Sequence, residues 1–192
     1  MANGTPIRPH EVAQSGMTLS GQDPLPAGGE AQFLLFALAG QRCALPREAV
    51  RELLPLPRLS RPPSLPAALA GFVNLGGEPL PVLALAHLLG LRDGAAEEDG
   101  LYRHIVVVRD MLPGADAGLL VDRVQDLQAV PPGWLRPAPP EQSLNGCVAA
   151  GLAMPDGFVP VLDPARILLA QEQASLEELT RRASGRLREW TA

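Results

Sequence analysis

Two short apolar runs joined by Gly76-Gly77 constrain the fold of this chain more than any other feature. A glycine pair between apolar runs supplies the positive φ angles that a two-residue hairpin turn needs, so antiparallel strands are predicted over residues 72–75 and 80–84. Pro79 and Pro81 have no backbone N–H, and a strand that carries both needs one unpaired edge or a bulge near its end. Such an edge, rimmed by apolar side chains, favours a docking surface, with a plain barrel edge as the alternative.

The composition predicts many short strands joined by tight turns. Proline and glycine number 21 and 19 of the 192 residues, and aromatic residues make up only 4%. Gly/Pro turns follow one another at close, regular spacing, and no long helices alternate with the apolar segments before residue 163. This pattern indicates a mainly β fold built from small barrels rather than a doubly wound parallel sheet.

Three segments are predicted along the chain. Residues 1–30 are polar and without periodicity, which indicates a disordered leader. Residues 31–172 form the strand-rich domain. Residues 173–192 form an amphipathic helix that opens at a capping box, Ser175 to Glu178. Its apolar stripe favours packing on the same chain, with a partner helix as the alternative; the stripe consists of Leu176, Leu179, Ala183, Leu187 and Trp190.

Charge and cysteine content exclude several classes of function. The net charge is −5, which argues against a nucleic-acid or anionic-membrane partner, because both need a clustered positive surface. The chain contains no lysine, which excludes phosphate-binding loops of the Walker type and Schiff-base chemistry. Cys43 and Cys147 are isolated thiols in apolar contexts, which indicates a cytoplasmic protein with reduced cysteines. No apolar run reaches the length of a membrane span.

An enzyme and an RNA-binding protein are the two rival classes. His87 and His104 have no metal-ligating residue at suitable spacing, so no catalytic site, metal or cofactor is predicted. Asp122 and Asp126 offer an acid/base pair, although carboxylates that accept hydrogen bonds from turn amides explain them more simply. A small-barrel RNA-binding protein would show exposed aromatic residues within a basic stripe, whereas this chain is acidic and has one tyrosine.

The order and spacing of several segments resemble the CheW-like adaptor family of bacterial chemosensory systems, over about residues 32–170. The segments that carry the resemblance are Phe33-Leu34-Leu35-Phe36-Ala37-Leu38, Leu45-Pro46, Val50-Arg51-Glu52-Leu53, Gly71-Phe72-Val73-Asn74-Leu75-Gly76-Gly77, Pro81-Val82-Leu83, Gly118-Leu119-Leu120-Val121-Asp122-Arg123-Val124, Leu135-Arg136-Pro137-Ala138-Pro139, Gly151 and Val161-Leu162-Asp163.

The resemblance implies two SH3-like, five-stranded β-barrel lobes packed side by side, with short helices and a C-terminal helical extension. It implies neither catalysis nor a cofactor. Such a protein couples the cytoplasmic tip of a chemoreceptor to the regulatory domain of a histidine kinase, and its lobes also contact other CheW-like domains. The predicted partner-binding residues combine the positions that match the family with those of the donor-poor strand; they are Val50, Glu52, Asn74, Leu75, Gly76, Leu80 and Val82.

Gly76 is a departure from the pattern of the family, which usually reads Asn-Leu-Arg-Gly at this turn. Arginine offers a planar fork of donors to a carboxylate, whereas glycine offers only its backbone. Glu52 would therefore lack its usual partner, and Arg58 or Arg61 is the predicted substitute. The departure puts standard receptor coupling in doubt. It favours a specialised pathway whose output is not flagellar rotation, or a small-barrel protein that has lost receptor coupling and binds another partner.

Overall fold

The computed structural model describes residues 30–63, 65–91, 102–138 and 143–191. The predicted leader lies outside the described residues except for Glu30, and so do residues 92–101. The side chains of Leu187 and Trp190 also lie outside this description.

Strands dominate the described residues, as predicted. The strands are β1 (Ala31–Leu38), β2 (Gln41–Pro46), β3 (Val50–Pro55), β4 (Leu69–Leu75), β5 (Glu78–Leu83), β6 (His104–Leu112), β7 (Ala115–Val121), β8 (Arg123–Val130), β9 (Leu135–Arg136), β10 (Val148–Met154) and β11 (Gly157–Leu162). The α-helices are α1 (Leu85–Leu88) and α2 (Ala170–Thr191), and single 3-10 turns occupy Arg47–Ala49, Pro132–Trp134 and Pro164–Arg166.

The strands form two sheets, one for each lobe. The first lobe has six strands in the order β8-β1-β2-β11-β10-β9, and the second has five in the order β3-β6-β7-β5-β4. Both sheets are open, with β8 and β9 at the edges of one and β3 and β4 at the edges of the other. The mainly β, two-lobed arrangement is therefore confirmed. The first lobe contains one strand more than the five predicted. The additional strand is β9, which pairs with β10 through only two residues.

Each sheet packs apolar side chains on both of its faces, which explains the continuous apolar runs within its central strands. On β1, Phe33 and Leu35 pack inside the first lobe, whereas Leu34 and Phe36 belong to a larger core. On β6, alternate residues divide in the same way between the inside of the second lobe and that larger core. Because the larger core takes residues from both sheets, it holds the two lobes together.

Short-range signals account for most of the connections. Gly90 ends α1 with φ of 68°, a left-handed conformation that glycine adopts at low cost. Asp163 caps the turn at Pro164–Arg166, where its carboxylate accepts a hydrogen bond from the backbone N–H of Ala165 at 3.0 Å.

Helix α2 begins five residues earlier than the capping box at Ser175 predicted. Its first residue is Ala170, and the carboxylate of Glu172 accepts a hydrogen bond at 2.8 Å from the backbone N–H of Leu169. A glutamate at the third helical position that reaches back to the N-cap amide is the acidic half of a capping box. A capping interaction is therefore present as predicted, but it joins Glu172 to Leu169 rather than involving Ser175 and Glu178. Ser175 lies inside the helix.

Candidate functional site

The hairpin of β4 and β5 is the element that presents most of the predicted partner-binding residues. Gly76 and Gly77 have φ angles of 63° and 95°, as a two-residue turn of type I′ requires. Leu75 pairs with Glu78 across the turn. Asn74 closes the turn, because its side-chain Oδ1 accepts a hydrogen bond from the backbone N–H of Gly77 at 2.8 Å. The tip is exposed at Asn74 and at both glycines.

Three of the predicted partner-binding residues are buried. Val82 is 0% exposed and Leu80 7%, and both pack inside the second lobe against Ile105 and Val107. Val50 is 4% exposed and belongs to the core between the lobes. These three side chains therefore shape the surface by packing beneath it, whereas Glu52, Asn74, Leu75 and Gly76 contribute accessible atoms.

The donor-poor edge predicted on β5 is present over the first half of the strand. Leu75 and Glu78 flank a two-residue turn and so form a hydrogen-bonded pair, which leaves Pro79 and Pro81 at non-hydrogen-bonded positions opposite β4. Their nitrogens face the other side, where pairing with β7 begins only at Val82. The two prolines therefore occupy positions at which a missing N–H costs no ladder hydrogen bond.

The segment that covers this part of β5 is helix α2 of the same chain. The helix packs against β5, and its Leu176 and Ala183 are buried in the core between the lobes. Pro79 and Pro81 are consequently buried. For the described part of the apolar stripe, Leu176, Leu179 and Ala183, packing on the same chain is the alternative observed.

A groove of about 410 Å³ remains between α2 and the hairpin. Thr180 and Ser184 of the helix line one side, and Leu75 and Glu78 of the hairpin line another. The hydroxyl oxygen of Thr180 is buried without a hydrogen-bond partner. The helix therefore covers the strand without filling the space next to the hairpin.

Arg51 brings charge to the same groove. Its Nη1–H donates to the Asp116 carboxylate at 2.8 Å, and its Nε lies 3.5 Å from the Glu52 carboxylate. The hydrogen bond with Asp116 raises the pKa of the Arg51 guanidinium, and the charges of Asp116 and Glu52 act in the same direction. A bulge between Val50 and Glu52 places Arg51 at this point on the edge strand β3.

The partner of Glu52 is therefore the adjacent Arg51 rather than Arg58 or Arg61. Arg61 is committed elsewhere, because its Nε–H donates to the backbone carbonyl of Ala70 at 2.8 Å. Gly76 leaves open space in place of a side chain, since no atom lies within 4 Å of where its Cβ would be. Arg51 and Asp116 were not among the predicted site residues. The alternation of apolar and charged residues over 50–54 was the available signal for Arg51.

The two carboxylates considered for catalysis accept hydrogen bonds from backbone amides. Asp122 accepts a hydrogen bond from the backbone N–H of Ala39 at 2.6 Å, and Asp126 accepts one from the N–H of Leu127 at 2.8 Å. Asp122 therefore accepts from an amide of the β1–β2 turn, as predicted for a turn amide, although that turn is distant in the sequence. Asp126 accepts instead from the next residue within β8. Within the described ranges, no three His, Cys, Asp or Glu side chains are arranged to hold a metal ion, and no helix is both long and apolar enough to cross a membrane.

Comparison with known proteins identifies the family. The CheW-like domain family matches residues 32–172. The probable chemotaxis protein CheW of Rhizobium etli is 30% identical over 111 residues, which cover 58% of this chain and 68% of that protein. The chemotaxis protein CheW of Rhizobium meliloti is 31% identical over 111 residues, with the same two shares. The crystal structure of the scaffolding protein TtCheW of Thermoanaerobacter tengcongensis superposes with a TM-score of 0.65 at 21% identity, covering 79% of this chain and 94% of that one.

Fold and site together define a two-lobed β adaptor domain. The chain belongs to the CheW-like family, whose members are non-catalytic scaffold and adaptor proteins of chemotaxis signalling.

Proposed function

We propose that this protein is a cytoplasmic adaptor that binds the regulatory domain of a chemosensory histidine kinase, and that its coupling to a chemoreceptor tip is altered at Gly76. The observation that carries the proposal is the groove between the hairpin and α2. It brings Leu75 and Gly77 of the hairpin together with Arg51, whose neighbour is Glu52, from segments that are distant in the sequence. Other CheW-like domains are further partners by the same reasoning, because the lobe edges are open.

Binding to the kinase is tested first by titration calorimetry with the regulatory domain of the histidine kinase encoded in the same genome. We expect 1:1 binding with an affinity on the order of micromolar or tighter, about −8 kcal/mol. Glu52→Arg reverses the charge at a position that is partly exposed and is expected to weaken binding. Folded components that give no heat would overturn kinase coupling.

Receptor coupling is tested by adding the missing arginine. Gly76→Arg places a guanidinium at the hairpin tip, where space is open. The left-handed backbone at this position costs a non-glycine residue about 1–2 kcal/mol, which a folded domain of this size tolerates. If the glycine weakens coupling, the variant binds the chemoreceptor tip more tightly than the natural protein does.

Gly40→Arg is the matched control for this substitution. Gly40 also lies at an exposed turn, with φ of 77° and no atom within 4 Å of its Cβ position, but in the β1–β2 turn of the first lobe. It carries the same charge change and a similar backbone cost. Equal gains in receptor binding for both variants, or none for Gly76→Arg, would contradict a specific role for position 76.

The second candidate function follows from the same glycine. A protein that binds the kinase domain but binds no receptor tip, even with the arginine present, would serve a specialised chemosensory pathway or another partner. Deletion of its gene then leaves flagellar swimming behaviour unchanged. Loss of swimming chemotaxis in the deletion strain would instead establish standard coupling.

A further inference from the structure

Two adjoining grooves lie beside the segment that connects β3 to β4. Their volumes are about 510 and 470 Å³, and Arg61, Arg103 and Leu120 line both. The larger extends to His87 on α1, and the smaller extends to Arg58. None of the predicted partner-binding residues lines either groove. This surface, here called the arginine groove, is therefore separate from the hairpin site.

The described lining of the arginine groove is positively charged. Among the residues that the structure describes, Arg58, Arg61 and Arg103 line it and no aspartate or glutamate does, although the chain as a whole has a net charge of −5. Arg58 and Arg61 form no ion pair with any residue that the structure describes. A local positive surface on an acidic protein attracts anionic groups selectively.

Arg103 is the arginine of the groove that has an acidic neighbour. Its Nε lies 3.7 Å from an Asp122 carboxylate oxygen and makes no hydrogen bond. The other oxygen of Asp122 accepts from the backbone N–H of Ala39 at 2.6 Å. Among the described residues, Asp122 therefore offsets the charge of Arg103, and no carboxylate forms an ion pair with Arg58 or Arg61.

The segment that presents Arg58 and Arg61 is held in place. Ser60 exchanges two backbone hydrogen bonds of 2.8 Å with Phe72 on β4. The approach is so close that a Cβ at Gly71 would lie 2.8 Å from the Ser60 carbonyl oxygen. Arg61 adds its hydrogen bond to Ala70. Since these bonds order the segment before any partner arrives, binding would cost little conformational entropy.

The floor of the groove is apolar. Leu56 and Leu59 pack against the interior of the second lobe, and Leu120 is buried in the same cluster. Partly exposed carbon atoms beside guanidinium groups suit a ligand that carries both carboxylates and apolar side chains, because each arginine fork can bind a carboxylate with two hydrogen bonds.

We propose that the arginine groove is a second protein-docking surface, and that it binds a segment of a partner protein in which acidic residues alternate with apolar ones. The proposal does not depend on kinase or receptor binding at the hairpin. A chain with this groove can hold two partners at once, one at each surface.

The test is fluorescence anisotropy of the full chain with a labelled synthetic peptide in which glutamates alternate with leucines. We expect saturable binding that weakens as salt is added. Arg58→Glu and Arg61→Glu are each expected to weaken binding about ten-fold or more, equivalent to about 1.4 kcal/mol. Arg136→Glu is the control, because Arg136 is exposed on β9 of the first lobe and its replacement changes the net charge by the same amount.

Two further peptides separate the contributions of charge and apolar contact. Replacing every glutamate by lysine is expected to abolish binding, and replacing every leucine by serine to weaken it. Arg61→Glu loses the hydrogen bond to Ala70 and could unfold the protein for that reason. Arg58 is exposed and makes no ion pair among the described residues, so Arg58→Glu then decides the test. Equal weakening by Arg136→Glu, or unchanged affinity for Arg58→Glu, would overturn the proposal.

Discussion

Replacing Val82 by alanine tests whether this residue acts through core packing alone rather than through contact with a partner. Val82 is fully buried inside the second lobe. The change removes two methyl groups, worth about 1.6 kcal/mol at ~0.8 kcal/mol per buried group. The remaining space, on the order of 40 Å³, adds about 1 kcal/mol at ~24 cal/mol per Å³. The free energy of unfolding should therefore fall by about 2.5 kcal/mol, which lowers the melting temperature by about 5–10 °C.

Urea denaturation followed by circular dichroism measures this loss, and titration with the kinase regulatory domain measures binding below the transition. Val159→Ala is the matched variant, because Val159 is 1% exposed in the core of the first lobe. Both variants should lose similar stability and retain binding while folded. A loss below about 1 kcal/mol for Val82→Ala, or a binding defect that Val159→Ala does not share, would refute the packing role.

Three smaller perturbations test the local structure. Asn74→Ala removes the side-chain acceptor of the Gly77 amide and should cost about 0.5–1.5 kcal/mol. The loss should appear as faster hydrogen exchange in the hairpin. Asn74→Asp retains an acceptor and should show no such increase. Gly151→Ala would make a Cβ overlap the ring of Phe158. It should destabilise the first lobe by about 1–3 kcal/mol in thermal melts, unless Phe158→Leu accompanies it. Burial raises the pKa of Cys43 from 9.0 to about 12, so iodoacetamide should label this thiol only after denaturant is added. Because only the unfolded state then releases the thiol proton, the free energy of unfolding should fall as the pH rises from about 9 towards 12.

Local patterns in the sequence predicted the elements whose cause is local. The glycine pair at 76–77 identified the hairpin. The continuous apolar run over 33–38 is typical of a strand buried on both faces, as β1 is. Strand β8 has no such local signal. It is an edge strand in which most side chains are exposed, so its residues show no clear alternation of apolar and polar positions.

Long-range arrangements were beyond the reach of such patterns. The parallel pairing of Val82 with Gly118 depends on how the whole second lobe closes, which no single segment encodes. The partner of Glu52 was sought in a distant loop, whereas a bulge brings the neighbouring Arg51 to it. Burial of Leu80 and Val82 likewise follows from the position of β5 inside the sheet, because a pair of prolines alone reports only on backbone donors.

The path of the chain sets an order in which the two lobes become complete during synthesis. The second lobe uses one continuous stretch, from Val50 to Val121, and has all its strands once that stretch has emerged from the ribosome. Strands β1 and β2 are made first but need β8 and β11 as neighbours, and Ala44 meets Val161 only after more than half of the chain has followed. The early hairpin of the first lobe must therefore remain incomplete while the second lobe assembles. The second lobe, which is nested within the sequence of the first, is the natural folding nucleus. The first lobe is the one that a late truncation removes.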